Sequence, residues 1–516
     1  MNRWFGLLSF LWCIPAPGAA QDTTASARLD TTFALRPVPS VTLSLEDALQ
    51  QARANSPAYR QTLNNAGPAK WAVRNAYGNL LPHLNASSDF GYTGSGQSNF
   101  GGGFTRPTSA FVTSGYNLGV YWQLDGRALS APGQQKALQR STDEDITGAG
   151  VALKAEIETQ YLNTLQASAQ VDVARQQVVR NADFLGLARA RNQVGQATLL
   201  DVRQAEVVKG QSDVSLLRAV QLENEAKLDL FRRMGVEPPV PVEMIGLSDS
   251  FPITPPAYSL DSLLLLADAQ NPVLRSLRAR RTAAWWNVRA AKGEFFPTLS
   301  VQAGWSGFTQ QFTDESLLLG QTLTVAQSQA GDCLYNNQIR SGLNLGGEVA
   351  NCYAASGLVD GGGALLDPVT QQISDANNNF PFHYTGQPFQ ANLRVSLPIF
   401  TGFGRSLRVS EAKAQEQDAD EDTRARRLQV RSDVHARLLG LQTSYQAIAV
   451  QSANRDAARD QLRLARDRYR LGAGTSLEVS DAQNAVQQAE GDYVNAVYYF
   501  HKAIVALEAA VGRPLR

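Results

Sequence analysis

The sequence predicts an α+β membrane protein with an internal duplication, in which strands of membrane-crossing length are joined to very long helices. Three observations support this prediction. The chain begins with an export signal, and its second half repeats its first half. Each half contains segments in which apolar residues recur at every second position, together with long stretches of helical composition. The formal net charge of the 516 residues is zero. Because proteins that bind a phosphate backbone usually carry an excess of basic residues, we expect no nucleic-acid partner.

The first 20 residues have the pattern of a cleaved signal peptide. Arg3 precedes an apolar run, Trp4–Ile14, and residues 18–20 are small. Cys13 lies within the run, but the bulky Trp12 before it does not fit a lipidation site. We therefore expect an exported, unlipidated chain that begins at residue 21.

Cys333 and Cys352 are the two cysteines that remain after the signal. An even pair in an exported protein favours a disulfide over two free thiols. No CxxC motif or Cys/His cluster is present, so the sequence predicts neither a metal site nor a cofactor. Beyond residue 20 no apolar run has the length of a membrane helix, so any membrane crossing would have to use strands.

The second half of the chain repeats the first. At an offset of 215 residues, Pro57 pairs with Pro272, Trp71 with Trp286 and Pro82 with Pro297. Later the offset becomes 277, which pairs Gly195 with Gly472, Thr198 with Thr475 and Gly235 with Gly512. Ungapped matching of this kind indicates duplication. The larger offset implies an insertion of 62 residues in the second half.

The repeat divides the chain into predicted segments. The signal peptide (1–20) and an N-terminal segment (21–42) precede a first repeat (43–235), a Pro-rich connection (236–258) and a second repeat (259–512). The second repeat contains the insertion, at about 310–386. We interpret the connection as irregular and outside the core, and the insertion, with its stretches DGGGALLD and SDANNNF, as an exposed loop that contains both cysteines.

Four segments of about ten residues alternate apolar and polar side chains. They are His83–Thr93 and the segments at Tyr116–Leu124, Leu299–Trp305 and Phe389–Ile399. The pattern fits a soluble sandwich as well as a membrane-crossing strand. Four strands cannot close a barrel, and lipid does not tolerate an open sheet edge. If these strands enter a membrane, several chains must share one barrel.

Six helices are predicted. The segments Arg127–Val194 and Phe403–Leu471 each approach 70 residues, or about 100 Å. Four helices about half as long are predicted at Leu43–Leu80, Leu199–Met234, Leu260–Phe295 and Ser476–Val511. Two short helices placed end to end have the length of one long helix. We therefore expect the long helix of each repeat to turn at a glycine, Gly195 or Gly472, and to be followed by a short helix that runs back beside it. Together these helices would form a long helical tube below the strands.

With this organisation the chain resembles the TolC-like outer-membrane efflux protein family over about residues 43–512. The resemblance is carried by LSLEDALQQARANSP, by the duplicated NLLPHLNAS and EFFPTLSVQ, by LPIFTGFGR, and by the hairpins RNQVGQATLLDVRQAE and RYRLGAGTSLEVSDAQ. It implies a homotrimer in the outer membrane of a Gram-negative-type bacterium, with a 12-stranded transmembrane β-barrel continuous with a periplasmic α-helical barrel. Residues 21–42 would then be periplasmic.

The partners implied by the resemblance are outer-membrane lipid, a periplasmic adaptor and, through that adaptor, an inner-membrane transporter. The resemblance also implies a function: an exit duct of a tripartite efflux pump or of a type I secretion system, which conducts substrates passively.

The same resemblance assigns a gate to the two hairpins at the periplasmic tip. Glu478 and Asp481 match the family's acidic ring, Asp201 matches an acidic position on the first hairpin, and Tyr469 matches a tyrosine that ties neighbouring hairpins, here expected to act through Asp201. The acids would create a negative potential that favours cations. Gly474 stands where the family's best-known pattern has an arginine, so one link of the closed state is missing.

The tip turns and the adaptor-docking surface are assigned to Gly195, Gly472, Gly474, Thr198 and Thr475. A second interpretation of the tip stays open. Acids in the first turn of a helix also cap free amides and complement the helix dipole, and glycines also simply form turns.

No pattern predicts an enzyme. The stretch GFGRSL lacks the last glycine of a dinucleotide fingerprint, DADEDTRARR (418–427) lacks the glycine of a calcium loop, and the four histidines show no HExxH spacing. The competing hypothesis is a secreted helical structural protein or adhesin without transport. Only an exit duct would require detergent for its extraction.

Overall fold

The computed structural model describes residues 41–100 and 104–515. The predicted signal peptide and residues 21–40 lie outside this part of the chain. In chain order the elements are β1 (Val41–Leu43), α1 (Leu45–Asn55), α2 (Pro57–Asn64), α3 (Ala66–Gly78), β2 (His83–Thr93), β3 (Gly96–Phe100), β4 (Phe104–Thr108), β5 (Phe111–Leu124), α4 (Gly126–Gln193), α5 (Leu199–Met234), β6 (Ile245–Leu247), α6 (Leu260–Gln270), α7 (Pro272–Gly293), β7 (Thr298–Phe312), α8 (Ser316–Gly342), α9 (Asp367–Asn377), β8 (Thr385–Gly386), β9 (Gln390–Ser396), α10 (Gly404–Arg470) and α11 (Ser476–Val511).

Two helices of nearly equal length set the dimensions of the molecule. Helix α4 has 68 residues and α10 has 67, so each is about 100 Å long. The 36-residue helices α5 and α11 have the predicted bounds and pack against α4 and α10 respectively, while α4 also packs against α11. The lateral order of these four helices is therefore α5, α4, α11, α10. No helix in the described ranges is both long and apolar enough to cross a membrane.

The two other short helices are not continuous as predicted. The segment Leu43–Leu80 contains α1, α2 and α3, and Leu260–Phe295 contains α6 and α7. Two of the three breaks fall before Pro57 and Pro272, because proline disfavours helical backbone in the residue that precedes it. The third lies at Asn65, between α2 and α3. Each proline then begins the next helix, where its missing N–H has no consequence.

The four predicted strands form one antiparallel sheet in the order β2, β5, β7, β9, with the two-residue strand β8 also on β7. Strand β2 has the predicted bounds, whereas β5 and β7 extend beyond theirs. Strand β9 is shorter than predicted and ends before Pro398, which cannot donate to a ladder. Strands β3 and β4 form a separate hairpin that was not predicted.

The Pro-rich connection contributes to the core, contrary to the prediction. Strand β6 lies within it and pairs in parallel with β1, and Ile245 is buried against Leu43 and Tyr161. The Tyr161 hydroxyl donates to Asp249 (2.5 Å) and also lies within hydrogen-bond distance of the Leu43 carbonyl (2.9 Å). Composition alone missed this strand because its three residues lie between prolines and polar residues.

The insertion is also not a simple loop, so that prediction is wrong. It contains the 27-residue helix α8, the helix α9 and a disulfide between Cys333 and Cys352. Asn377, in α9, holds it to the sheet by accepting from the Phe312 amide (2.8 Å) and donating to the Phe312 carbonyl (2.9 Å). The loop-like stretches used for the prediction lie outside α8, and α8 itself contains no proline.

The helices approach closely just below the sheet. A Cβ atom on Gly126 would lie 2.4 Å from the Cα of Gly293, so α4 and α7 touch backbone to backbone there. Farther along, two separate clusters of buried apolar residues form, one around Ile157 and Phe231 and the other around Val434 and Leu507. A third cluster lies at the opposite end of the helices, between the two hairpin turns.

Candidate gate at the tip of the helical hairpins

The two long helices end in turns of the same construction. Gly195 (φ 75°) and Gly472 (φ 76°) adopt the left-handed conformation that favours glycine. Each is followed by a threonine N-cap: Thr198 accepts from the Asp201 amide (3.2 Å), and Thr475 accepts from the Glu478 amide (3.2 Å). The turns therefore lie where the sequence predicted them, and the two threonines assigned to these turns serve as N-caps.

Asp201 completes a capping box and reaches the other hairpin. Its carboxylate accepts from the Thr198 amide (2.9 Å) and hydroxyl (2.8 Å), and Oδ1 accepts from the hydroxyl of Ser476 (2.6 Å). The Ser476 hydroxyl also lies 2.9 Å from Oε1 of Gln204. The pKa of Asp201 lies below its usual value, and the hydrogen bond from Ser476 is the main cause. Burial raises this pKa, whereas the hydrogen bonds from Thr198 and the positive charge of Arg191 lower it further.

Tyr469 lies between the hairpins but does not bond to Asp201. The side chain is buried against Phe184, with ring centroids 5.4 Å apart, and the guanidinium of Arg191 stacks on its ring and donates to its carbonyl. The Tyr469 hydroxyl is buried and forms no hydrogen bond within the described residues. Burial and, secondarily, the charge of Asp201 raise the pKa of Tyr469. Within one chain, Ser476 therefore makes the contact with Asp201 that was expected of Tyr469.

The two acids of the second hairpin differ in their surroundings. Oε2 of Glu478 lies 3.6 Å from Nη1 of Arg468. Asp481, one turn farther along α11, is exposed and makes no hydrogen bond or ion pair in the part of the chain that the structure describes. Both side chains are at least partly accessible to solvent, as a gate would require.

A buried carboxylate joins three helices farther from the tip. Glu490 on α11 accepts from Arg180 on α4 (3.0 Å) and from Arg459 on α10 (2.8 Å), and its side chain is 6% exposed. The Gln483 amide on α11 donates to the Arg180 carbonyl (3.1 Å). Together with the apolar cluster around Val479 and Leu462, these contacts hold the two hairpins of one chain side by side.

Sequence reasoning missed Ser476, Arg191, Arg468 and Glu490. One signal was present, because Arg191 and Arg468 occupy equivalent positions at the offset of 277. Both donate to a carbonyl five residues ahead, that of Gln196 (3.1 Å) and that of Ala473 (3.2 Å) respectively. Nothing in the sequence marked Ser476 or Glu490, because their partners come from other helices.

The family model described as "Outer membrane efflux protein" matches residues 48–235 and 369–513, more than half of the chain. Among curated relatives, the toluene efflux pump outer membrane protein TtgF of Pseudomonas putida is 27% identical over 269 residues, covering 50% of this chain and 53% of the relative. The fusaric acid resistance protein FusA of Burkholderia cepacia is 30% identical over 230 residues, covering 42% and 41%. The chain thus spans about half the length, or less, of these relatives.

Solved structures share the fold along nearly the whole chain. The outer membrane protein VceC from Vibrio cholerae superposes with a TM-score of 0.64 and is 16% identical in sequence. The match covers 92% of this chain and 97% of VceC. The CmeC outer membrane channel of Campylobacter jejuni superposes with a TM-score of 0.66 and is 14% identical in sequence. The match covers 91% of this chain and 85% of CmeC. At this identity the likeness establishes the fold alone.

Proposed function

Because the chain belongs to the outer membrane efflux protein family, we propose that it is the outer-membrane exit duct of an efflux pump. The chain lies in the outer membrane with a large periplasmic helical part. Substrates would pass through it passively, with energy supplied by an inner-membrane transporter and coupling by a periplasmic adaptor. Service in a type I secretion system would use the same duct with another transporter.

The observation that carries the proposal is a sheet that is incomplete in one chain. Strands β2 and β9 each pair with a single neighbouring strand in the described part of the chain. Large apolar side chains on the sheet are exposed, including Leu84 (74%) and Leu393 (65%). Lipid would accept this apolar surface but not the open edges. Three copies joined edge to edge would close a 12-stranded barrel and satisfy both requirements.

Two helices, α5 and α10, also expose apolar side chains along one face. On α5, the exposed residues Leu200, Val207, Val214 and Leu228 recur at intervals of seven or fourteen. On α10, Leu428, Leu439, Val450 and Leu464 are exposed at intervals of eleven or fourteen. Each set follows one face of its helix. Because α5 and α10 lie at opposite sides of the four-helix layer, packing α5 of one copy on α10 of the next would bury both faces and close a helical barrel.

At the tip, the exposed acids Glu478 and Asp481 would surround a narrow entrance in a trimer. Their negative potential would favour cations and could bind blocking multivalent cations. Asp201 is occupied by its capping box and by Ser476, which supports a structural role for this third acid. Docking of the adaptor at the glycine turns is part of the same proposal.

Planar-bilayer conductance tests the proposal. The purified, detergent-extracted protein should form cation-selective pores, and the combined change Glu478→Gln and Asp481→Asn should reduce the cation preference and the block by divalent cations. Pores unaffected by the change would support the duct and leave the acids as helix caps. Folded protein that never conducts and that is released without detergent would favour the secreted structural protein.

A further inference from the structure

Arg468 is placed to offset one of the two exposed acids at the tip. Its Nη2 donates to the carbonyl of Ala473 (3.2 Å), which fixes the guanidinium across the turn, and its Nη1 lies 3.6 Å from Oε2 of Glu478. Both side chains are substantially exposed, at 61% and 42%, so the pair adds little to stability. The position of its positive charge beside the carboxylate nevertheless reduces the potential that Glu478 creates.

Gly474 favours this approach of Arg468 to Glu478. A Cβ atom on residue 474 would lie 3.1 Å from the Cβ of Arg468 and 3.2 Å from Oε2 of Glu478. Both distances are shorter than ordinary contacts, so a larger residue would require the arginine or the carboxylate to shift by a few tenths of an ångström. The glycine that stands where the resemblance expects an arginine therefore leaves space for an arginine supplied by α10.

The first hairpin lacks an equivalent exposed pair. Arg191 occupies the position equivalent to Arg468, but its Nη1 donates to the Tyr469 carbonyl and its guanidinium covers the Tyr469 ring. The acid equivalent to Glu478 is Asp201, which is bonded to Thr198 and Ser476. At these equivalent positions, therefore, the described chain pairs an exposed arginine with an exposed carboxylate in the second hairpin alone. The first hairpin instead pairs Arg189 and Arg203 with Glu206, farther along α5.

We propose that Arg468 is a specificity-determining residue of the gate, because it offsets Glu478 and leaves Asp481 as the net negative charge that each chain contributes. The inference rests on the proposed function, since it assumes that the second hairpins surround a conducting entrance. It gives a trimer three net negative charges at this position in place of six carboxylates acting together.

Reversal potentials across bilayers in a KCl gradient test the proposal with five variants. They are Arg468→Gln, Glu478→Gln, the double variant of both, Asp481→Asn, and the control Arg424→Gln, which removes an exposed arginine about 65 Å away on the same helix. We expect Arg468→Gln to raise the ratio of cation to anion permeability by roughly twofold or more, the effect of one charge at about 8 Å in water. The rise should shrink in 1 M salt, where the screening length falls to about 3 Å.

The double variant provides the decisive comparison. Glu478→Gln alone should lower the cation preference, and adding Arg468→Gln should restore the wild-type value, because the net charge is then unchanged. If Arg468→Gln has no more effect than Arg424→Gln and the double variant behaves like Glu478→Gln, the role of Arg468 is refuted while the acidic gate stands. If neither Glu478→Gln nor Asp481→Asn alters selectivity, the acidic gate itself is refuted.

Discussion

Removal of the Ser476 hydroxyl tests whether the hairpins of one chain are joined through Asp201. The side chain is 5% exposed and its oxygen lies 2.6 Å from Oδ1 of Asp201. A hydrogen bond to a charged group contributes about 1.5–3 kcal/mol. We take the lower value, about 1.5 kcal/mol, because Asp201 is only partly buried and keeps its bonds to Thr198. Ser476→Ala should therefore lower the free energy of local opening at the tip by that amount.

Hydrogen exchange read by mass spectrometry measures this effect directly. Amides in residues 192–205 and 469–483 should exchange roughly tenfold faster in Ser476→Ala, whereas exchange near the sheet should not change. Ser480→Ala, on the same helix and without a hydrogen bond from its side chain in the described part of the chain, is the matched control. A double-mutant cycle with Asp201→Asn should give a coupling well above about 0.5 kcal/mol. Additive effects, or equal exchange in the two serine variants, would refute the link.

Three further predictions concern pH, the turns and the insertion. Hydrogen bonds hold the pKa of Asp201 below its unfolded value of about 3.9. The stability that ionised Asp201 contributes to the tip should therefore be fully present above that pH and be lost as the pH falls through the folded pKa. Tip exchange, corrected for its intrinsic rate, should accelerate below about pH 4 in the wild type, and an equal acceleration in Asp201→Asn would contradict the assignment. Gly472→Ala should cost about 1–2 kcal/mol for its positive φ alone. Gly512→Ala should lower Tm further, since its Cβ would lie 2.7 Å from Cδ of Pro272; equal losses would be inconsistent with this contact. Replacing Cys333 and Cys352 by alanine opens a loop of 19 residues and should destabilise the insertion by about 3 kcal/mol. Conductance should not change, because we predict that the disulfide lies on the outer surface. In the wild type, both cysteines should resist alkylation.

The long helices could be predicted because little within them opposes helical backbone. Helix α10 contains no proline, and the single proline of α4, Pro132, lies in its second turn. The bounds of α5 and α11 followed from Gly235 and Gly512, which both end their helices in the left-handed conformation. The breaks at Pro57 and Pro272 were also readable from the sequence, but the helical pattern on both sides concealed them.

Other features depend on tertiary contacts that local sequence does not encode. Strand β6 exists because Ile245 packs beside Tyr161, which is distant in sequence. At the tip, the threonine caps could be predicted from local spacing, whereas the pairing of Ser476 with Asp201 joins residues 275 positions apart. The prediction that Tyr469 acts through Asp201 followed the family pattern, and it now applies only to a contact between chains. The internal duplication and the predicted segment bounds remain predictions.

The mass of the detergent-extracted assembly tests the central claim most directly, because the proposed barrel and the proposed helical tube both require several copies of the chain. Native mass spectrometry of protein extracted from outer membranes should give three copies of the chain, held together until the detergent is made denaturing. A folded single copy, recovered without detergent and stable with β2 and β9 unpaired, would contradict the shared duct and favour a secreted structural protein.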